Sequence, residues 1–267
     1  MRRVIDPLHV EKWGSSGETV ILVHGSQTFG AANWERQMPL SARWRLLVID
    51  RRGFGGSAPR PGGVDFALDA EDVCGLLADR PVHLVGHSYG GIVCLLAAAQ
   101  RPEAVRSLTV IEPPAFAVAR WNPAVERFFG RIRRLWPQPA GATEESFQEE
   151  FVRALGFSVV PGSLALDDGP ARAAMRASMT ERGPWEAVIP LEALRAAPFP
   201  KLVVRGAWDV VPPAVHDIAG VAFAVICETI ASGIGALQAV FPGAGHAPQT
   251  LGAPFNARLE AFLATGR

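Results

Sequence analysis

The sequence predicts an α/β protein: a mostly parallel β-sheet flanked by helices, with a helical insertion after a strand ending near Glu112. Three observations carry that expectation. Short apolar runs alternate with helical patterns, the signature of a parallel sheet covered on both faces. The alternation stops between Pro113 and Pro200, where helical and loop signals occur without a convincing strand. One strand-to-helix junction reads Gly86-His87-Ser88-Tyr89-Gly90, a serine with glycine two residues to either side.

Taken in order, Thr19 to Val23 reads as a buried strand and Arg45 to Asp50 as the next. A helix is expected from near Asp65 to Ala78, with Phe66, Leu68, Val73, Leu76 and Leu77 as its apolar members. A strand over Val82 to Val85 leads into the serine junction and a helix ending near Gln100. Ser107 to Ile111 is another strand, ended by Glu112-Pro113-Pro114. Lys201 to Arg205 and Leu237 to Phe241 read as the last two strands, and Phe255 to Ala264 as a closing helix. Inside the insertion, Val125, Phe128, Phe129, Ile132, Leu135 and Trp136 share one helical face, opposite Arg127, Arg131 and Arg134. Trp136-Pro137, Pro161-Gly162-Ser163 and Asp168-Gly169-Pro170 mark loops. The expected division is a core domain of residues 1–112 and 200–267 and a helical cap over 113–199.

At 267 residues and 49% hydrophobic, the chain is long enough for one sizeable core. Its 26 basic and 26 acidic side chains cancel, which argues against nucleic acid or an anionic membrane surface as the main partner. Cys74, Cys94 and Cys227 are widely spaced and fit reduced, buried thiols better than a disulfide framework or a zinc site. The N-terminus, Met1 to Pro7, is basic with no apolar stretch after it, so no secretory leader is expected. No apolar run approaches the roughly 18–20 residues of a membrane span, and a cytoplasmic location is the default. No His/Cys cluster has ligand spacing and no G-x-G-x-x-G follows a strand, so neither metal nor organic cofactor is expected. Oligomeric state leaves no signal.

The serine junction has the form of a nucleophile elbow. A turn that tight strains the backbone at Ser88 and lifts its hydroxyl clear of the sheet at a helix N-terminus. A serine needs a base. Among six histidines, His246 stands apart, because Pro242-Gly243-Ala244-Gly245-His246-Ala247-Pro248 is a glycine-rich loop after the last strand. His87 is expected to point away from Ser88, and His24 to support its loop. The histidine needs an acid to orient it. Asp209, after the strand ending at Arg205, stands first, and Glu112, after the strand that follows the elbow helix, is the alternative. For the oxyanion hole, the amide of Tyr89 is one expected donor; the second is the amide of Ser26 in His24-Gly25-Ser26-Gln27, with Gln27 next.

His24-Gly25, Asp50-Arg51-Arg52-Gly53-Phe54-Gly55-Gly56-Ser57, the elbow with Gly91, Gly206-Ala207-Trp208-Asp209 and Gly245-His246 together resemble the α/β-hydrolase superfamily, in its capped serine-hydrolase branch. The resemblance spans the whole chain and implies a Ser-Asp/Glu-His triad. Its relatives mostly place the acid like Asp209, and some lactone-cleaving ones place a glutamate like Glu112. It implies cleavage of an ester, lactone or thioester of a small apolar molecule through an acyl group on Ser88. Carbon–carbon cleavage of a β-diketone by the same triad, and a non-catalytic ligand-binding or scaffold role, are the competing readings.

Overall fold

The computed structural model describes residues 8–77, 80–166 and 169–266. The Met1 to Pro7 stretch, the Ala78 end of the expected helix and Asp168 of the third loop signal lie outside the described residues.

Seven strands form one sheet: β1 (Val10–Trp13), β2 (Thr19–Val23), β3 (Arg45–Ile49), β4 (Val82–His87), β5 (Val105–Ile111), β6 (Lys201–Gly206) and β7 (Leu237–Phe241). Their order is β1-β3-β2-β4-β5-β6-β7, with β1 antiparallel to β3 and every other neighbouring pair parallel. Parallel neighbours need crossovers. These carry α1 (Gly30–Trp34), α2 (Phe66–Leu76) and α3 (Tyr89–Gln100), then α4 (Pro123–Ile132), α5 (Glu144–Ala154), α6 (Pro170–Ser178) and α7 (Leu191–Ala196) between β5 and β6. The short α8 (Pro213–Val215) and α9 (Val221–Ile234) precede β7, and α10 (Ala253–Leu263) closes the chain.

The sheet separates two apolar cores. Ile21, Val23, Leu84 and Val110 face α2, α3, α9 and the inserted helices; Val20, Leu22, Val85 and Val204 face Trp34, Trp44 and α10. Six strands were legible as mainly apolar runs. β1 was not, because it is a half-exposed edge strand with Glu11 and Lys12 in its four residues. Asp65 caps α2, its carboxylate accepting the N–H groups of Ala67 and Leu68. In α4 the apolar face is buried as its spacing requires, behind an Asn122 cap and Pro123 at the first helical position. Between β5 and β6 the described residues form no strand. Val64 and Glu181 make an isolated bridge that brings the end of the insertion back onto the loop after β3.

One expectation needs correction. Pro213–Ile234 is a continuous helical stretch of 22 residues, long and apolar enough to cross a membrane by length and composition. Asp217 and Glu228 had broken it into shorter runs in the sequence. Ala222, Phe223, Ile226, Cys227, Ile230, Ala231 and Ile234 are buried in the core, so packing accounts for its composition.

A Cβ at Gly90 would lie 2.4 Å from the carbonyl oxygen of Val23, whereas one at Gly130, inside α4, meets nothing within 4 Å. Gly90→Ala is therefore expected to lower the unfolding free energy by about 3 kcal/mol. Gly130→Ala is expected to raise it by about 0.5–1 kcal/mol. Urea midpoints measure both, and equal shifts would contradict this packing.

Candidate active site

The site lies at the carboxyl ends of β2, β4, β5, β6 and β7. Ser88 follows β4 with φ 52° and ψ −122°, a conformation that costs on the order of 1–3 kcal/mol for a residue with a Cβ. The turn is possible because a Cβ at Gly86 would stand 2.3 Å from the Gly90 carbonyl oxygen. Four described non-glycine residues have positive φ: Gln27, Ser88, Glu112 and Trp208. All four belong to this site.

His246 Nε2 is 2.9 Å from Ser88 Oγ, and its Nδ1 is 2.9 Å from Glu112 Oε2. A carboxylate oxygen only accepts, so Nδ1 carries the ring proton and Nε2 is left to accept from the serine hydroxyl. Glu112 is fully buried, and its other oxygen accepts 2.8 Å bonds from the Gly206 N–H and the Trp208 indole N–H. Phe223, on α9, stacks on Trp208 and packs 4.5 Å from the His246 ring.

The carboxylate beside the histidine is thus Glu112 and not Asp209. Trp208 turns the chain at φ 57°, which carries Asp209 to the surface. There it accepts the Gly243 N–H at 2.9 Å and steadies the start of the histidine loop. His87 is directed to partners other than Ser88. Its Nε2 lies 3.0 Å from the His246 carbonyl oxygen and its Nδ1 3.0 Å from the Asn33 side chain. Burial, with a smaller effect of His246, pushes the His87 pKa down to about 3, so the ring is neutral and donates once. With Nε2–H donating to the His246 carbonyl, Nδ1 is left to accept, which the Asn33 amide answers when it is turned to set Nδ2 against the ring. No spacing rule could reveal this contact, because the two histidines are 159 residues apart.

Tyr89 opens α3, so its N–H is among those a helix leaves without an internal acceptor. Ser26 and Gln27 share the cavity wall with Ser88, and a Cβ at Gly25 would lie 2.9 Å from that of Ser88. The Gln27 N–H is taken by Ser178 Oγ at 2.7 Å, and the Ser26 hydroxyl donates to Glu181 at 2.6 Å. His24 is buried and held well below its usual pKa, first by desolvation and then by Arg51. Its Nδ1–H donates to the Gly25 carbonyl and its Nε2 accepts the Arg51 N–H. Ser178 and Glu181 were not singled out from the sequence, and Arg51 entered only as part of the Asp50–Ser57 motif.

A cavity of about 190 Å³ opens over Ser88 and His246, walled by Phe116, Phe128, Ile132, Trp136, Phe151, Leu155 and Phe223. Wider grooves of about 560 and 820 Å³ lie elsewhere on the surface, with neither Ser88 nor a histidine in their walls. Among the described residues no cluster of His, Cys, Asp and Glu could hold a metal ion.

A mostly parallel sheet with serine, imidazole and carboxylate at its carboxyl edge has the architecture of an α/β hydrolase. The chain belongs to the Alpha/beta hydrolase family, whose model matches residues 20–258. It is 39% identical over 111 residues to the pimeloyl-[acyl-carrier protein] methyl ester esterase of Aeromonas hydrophila, a match covering 40% of this chain and 42% of that protein. It is 28% identical over 266 residues to the dihydrolipoyllysine-residue acetyltransferase component of the acetoin cleaving system of Cupriavidus necator, covering 94% and 64%. These matches span less than two thirds of either relative. Its fold superposes with a TM-score of 0.63 on a thermophilic esterase from Thermogutta terrifontis, at 22% identity and with 97% and 93% of the chains covered.

The His87 environment has a measurable consequence. With a native pKa of about 3 and an unfolded value of about 6.5, the unfolded chain takes up a proton that the native ring refuses. Stability is therefore unaffected by this group above pH 6.5 and falls as pH drops from 6.5 toward 3. His87→Gln is expected to remove up to about 1.4 kcal/mol per pH unit from that slope, with His24 leaving a residue of it. Urea unfolding between pH 7 and pH 4 measures the slopes, and identical ones would mean that His87 charges freely in the native state.

Proposed function

We propose that this protein is a serine hydrolase that cleaves an ester, lactone or thioester of a small apolar molecule through an acyl group on Ser88. The observation that carries the reading is the relay of two 2.9 Å bonds from Ser88 through His246 to Glu112, beneath an apolar cavity. Ester-cleaving relatives add support for the reaction class.

Ser88 Oγ attacks the substrate carbonyl carbon while its proton passes to His246 Nε2. Glu112 stabilises the resulting imidazolium and holds the tautomer that leaves Nε2 free. The Tyr89 and Ser26 amides receive the carbonyl oxygen as it becomes negative. His246 then protonates the departing alcohol or thiol. A water enters and gives its proton to the same nitrogen as its oxygen bonds the acyl carbon; His246 returns that proton to Ser88 Oγ as the bond to serine breaks and the acid leaves. We read residues 113–199 as a cap, since Phe128, Ile132, Trp136, Phe151 and Leu155 form much of the cavity wall. A space of about 190 Å³ is close to an engineered cavity of about 150 Å³ that takes benzene, which suits a single ring or a short chain.

The expected result is that a fluorophosphonate labels the wild type and not Ser88→Ala. With p-nitrophenyl butyrate, Glu112→Gln is expected to lower kcat by about a thousand- to ten-thousand-fold. Asp209→Asn, which keeps an acceptor for Gly243, is expected to stay within about threefold. The reverse pattern would return the acid role to Asp209.

A further inference from the structure

Resting on the hydrolase reading, we propose that Glu181 is a positioning residue for the Ser26 amide, holding the His24–Gln27 turn from the segment inserted between β5 and β6. Glu181 is buried, and both its oxygens are occupied at 2.6 Å. One accepts the Ser26 hydroxyl. The other accepts Arg51 Nη2, which also donates to the Gly25 carbonyl at 2.9 Å, while Arg51 Nε donates to the His24 carbonyl at 3.2 Å. Ser178, three residues earlier, takes the Gln27 N–H. Gly25, Ser26 and Gln27 are each tied to a buried partner, and residues 178 and 181 of one short turn hold two of them.

That turn is itself fixed. The Val64 N–H donates to the Thr180 carbonyl, the Arg182 N–H returns a bond to Val64, and the Tyr89 hydroxyl donates to the Arg182 carbonyl. Tyr89 supplies the first expected oxyanion donor and, through its side chain, grips the turn that sets the second.

Electrostatics alone would disfavour a carboxylate here, since negative charge near a developing oxyanion raises the barrier. Its charge is offset by Arg51, whose guanidinium lies between Phe54 and Tyr89 and also meets Asp69. What Glu181 contributes is geometry: by accepting the Ser26 hydroxyl it fixes the side chain of Ser26 and so the turn that carries the Ser26 N–H.

The test measures p-nitrophenyl butyrate hydrolysis per fluorophosphonate-titrated Ser88 in four variants. Ser26→Ala keeps the amide and removes its tether, and it is expected to lower kcat about 10- to 100-fold, less than loss of a donor outright, with KM little changed. Glu181→Ala is expected to do the same, and the double variant to be no worse than the poorer single one, because both cut one link. Glu181→Gln can set its amide oxygen against Arg51 Nη2 and donate its NH2 to the Ser26 hydroxyl oxygen, keeping both links, so it is expected to keep most of kcat. A purely structural role would lower thermal stability and the titratable fraction and leave kcat per labelled site unchanged. That result, additive losses, or Ser26→Ala at wild-type kcat would overturn the proposal. If Glu181→Ala does not fold, Ser26→Ala and Glu181→Gln still decide it. A wild type that neither takes the label nor hydrolyses the ester would overturn the hydrolase reading itself, and this inference with it.

Discussion

A carboxylate with no access to water must be satisfied by protein donors alone, and at Glu112 that requirement fixes three separate stretches of chain. Glu112 leaves β5 with φ 42°, which turns its side chain toward the neighbouring strand end. One oxygen then takes the Gly206 N–H at the end of β6 and the Trp208 indole, and the other takes His246 from the loop after β7. If any one donor were missing, the buried group would lack compensation worth about 1.5–3 kcal/mol per charged hydrogen bond. The sheet thus serves the site by setting neighbouring strand ends at the spacing one carboxylate can bridge.

The same need for satisfaction explains the histidine pair. His246 must keep its hydroxyl-facing nitrogen free of a proton, and its tautomer follows from the acceptor at Nδ1. His87 packs at 5.1 Å between ring centres, and a charged neighbour there would disfavour positive charge on His246. Burial keeps His87 neutral, so it acts only as a clamp on the His246 backbone. Both rings occupy the wall of one cavity, yet desolvation gives them different work.

How much of this was legible depends on whether the information is local. Parallel strands are written as mainly apolar runs, and six of seven strands could be read; the polar edge strand β1 could not. The elbow and the histidine loop were legible because glycine spacing reflects local backbone crowding. The carboxylate beside His246 was not. Asp209 and Glu112 both follow strands on the correct edge, and the decision rests on two backbone torsions, at Glu112 and Trp208, that no residue pattern specifies. The contacts of Glu181 with Ser26 and Arg51 span 155 and 130 residues and depend on how the inserted helices return to the loop after β3.

Strain ties these features together. Gln27, Ser88, Glu112 and Trp208 stand where side chains are disfavoured, each at a cost on the order of 1–3 kcal/mol. Each is held by partners outside its own segment: Ser178 for Gln27, the β5 carbonyl of Ile111 for the Ser88 N–H, Val204 for the Glu112 N–H and Ala244 for the Trp208 N–H. A relaxed backbone at any of the four would move the group it carries out of the relay or off the cavity wall. The bonds that hold these residues come from different strands and from the insertion, so the site keeps its geometry only while the whole sheet edge and the turn at 178–181 stay assembled. That makes local loosening of the insertion a direct threat to the Ser26 turn, while Ser88, His246 and Glu112, held by the sheet, would survive it.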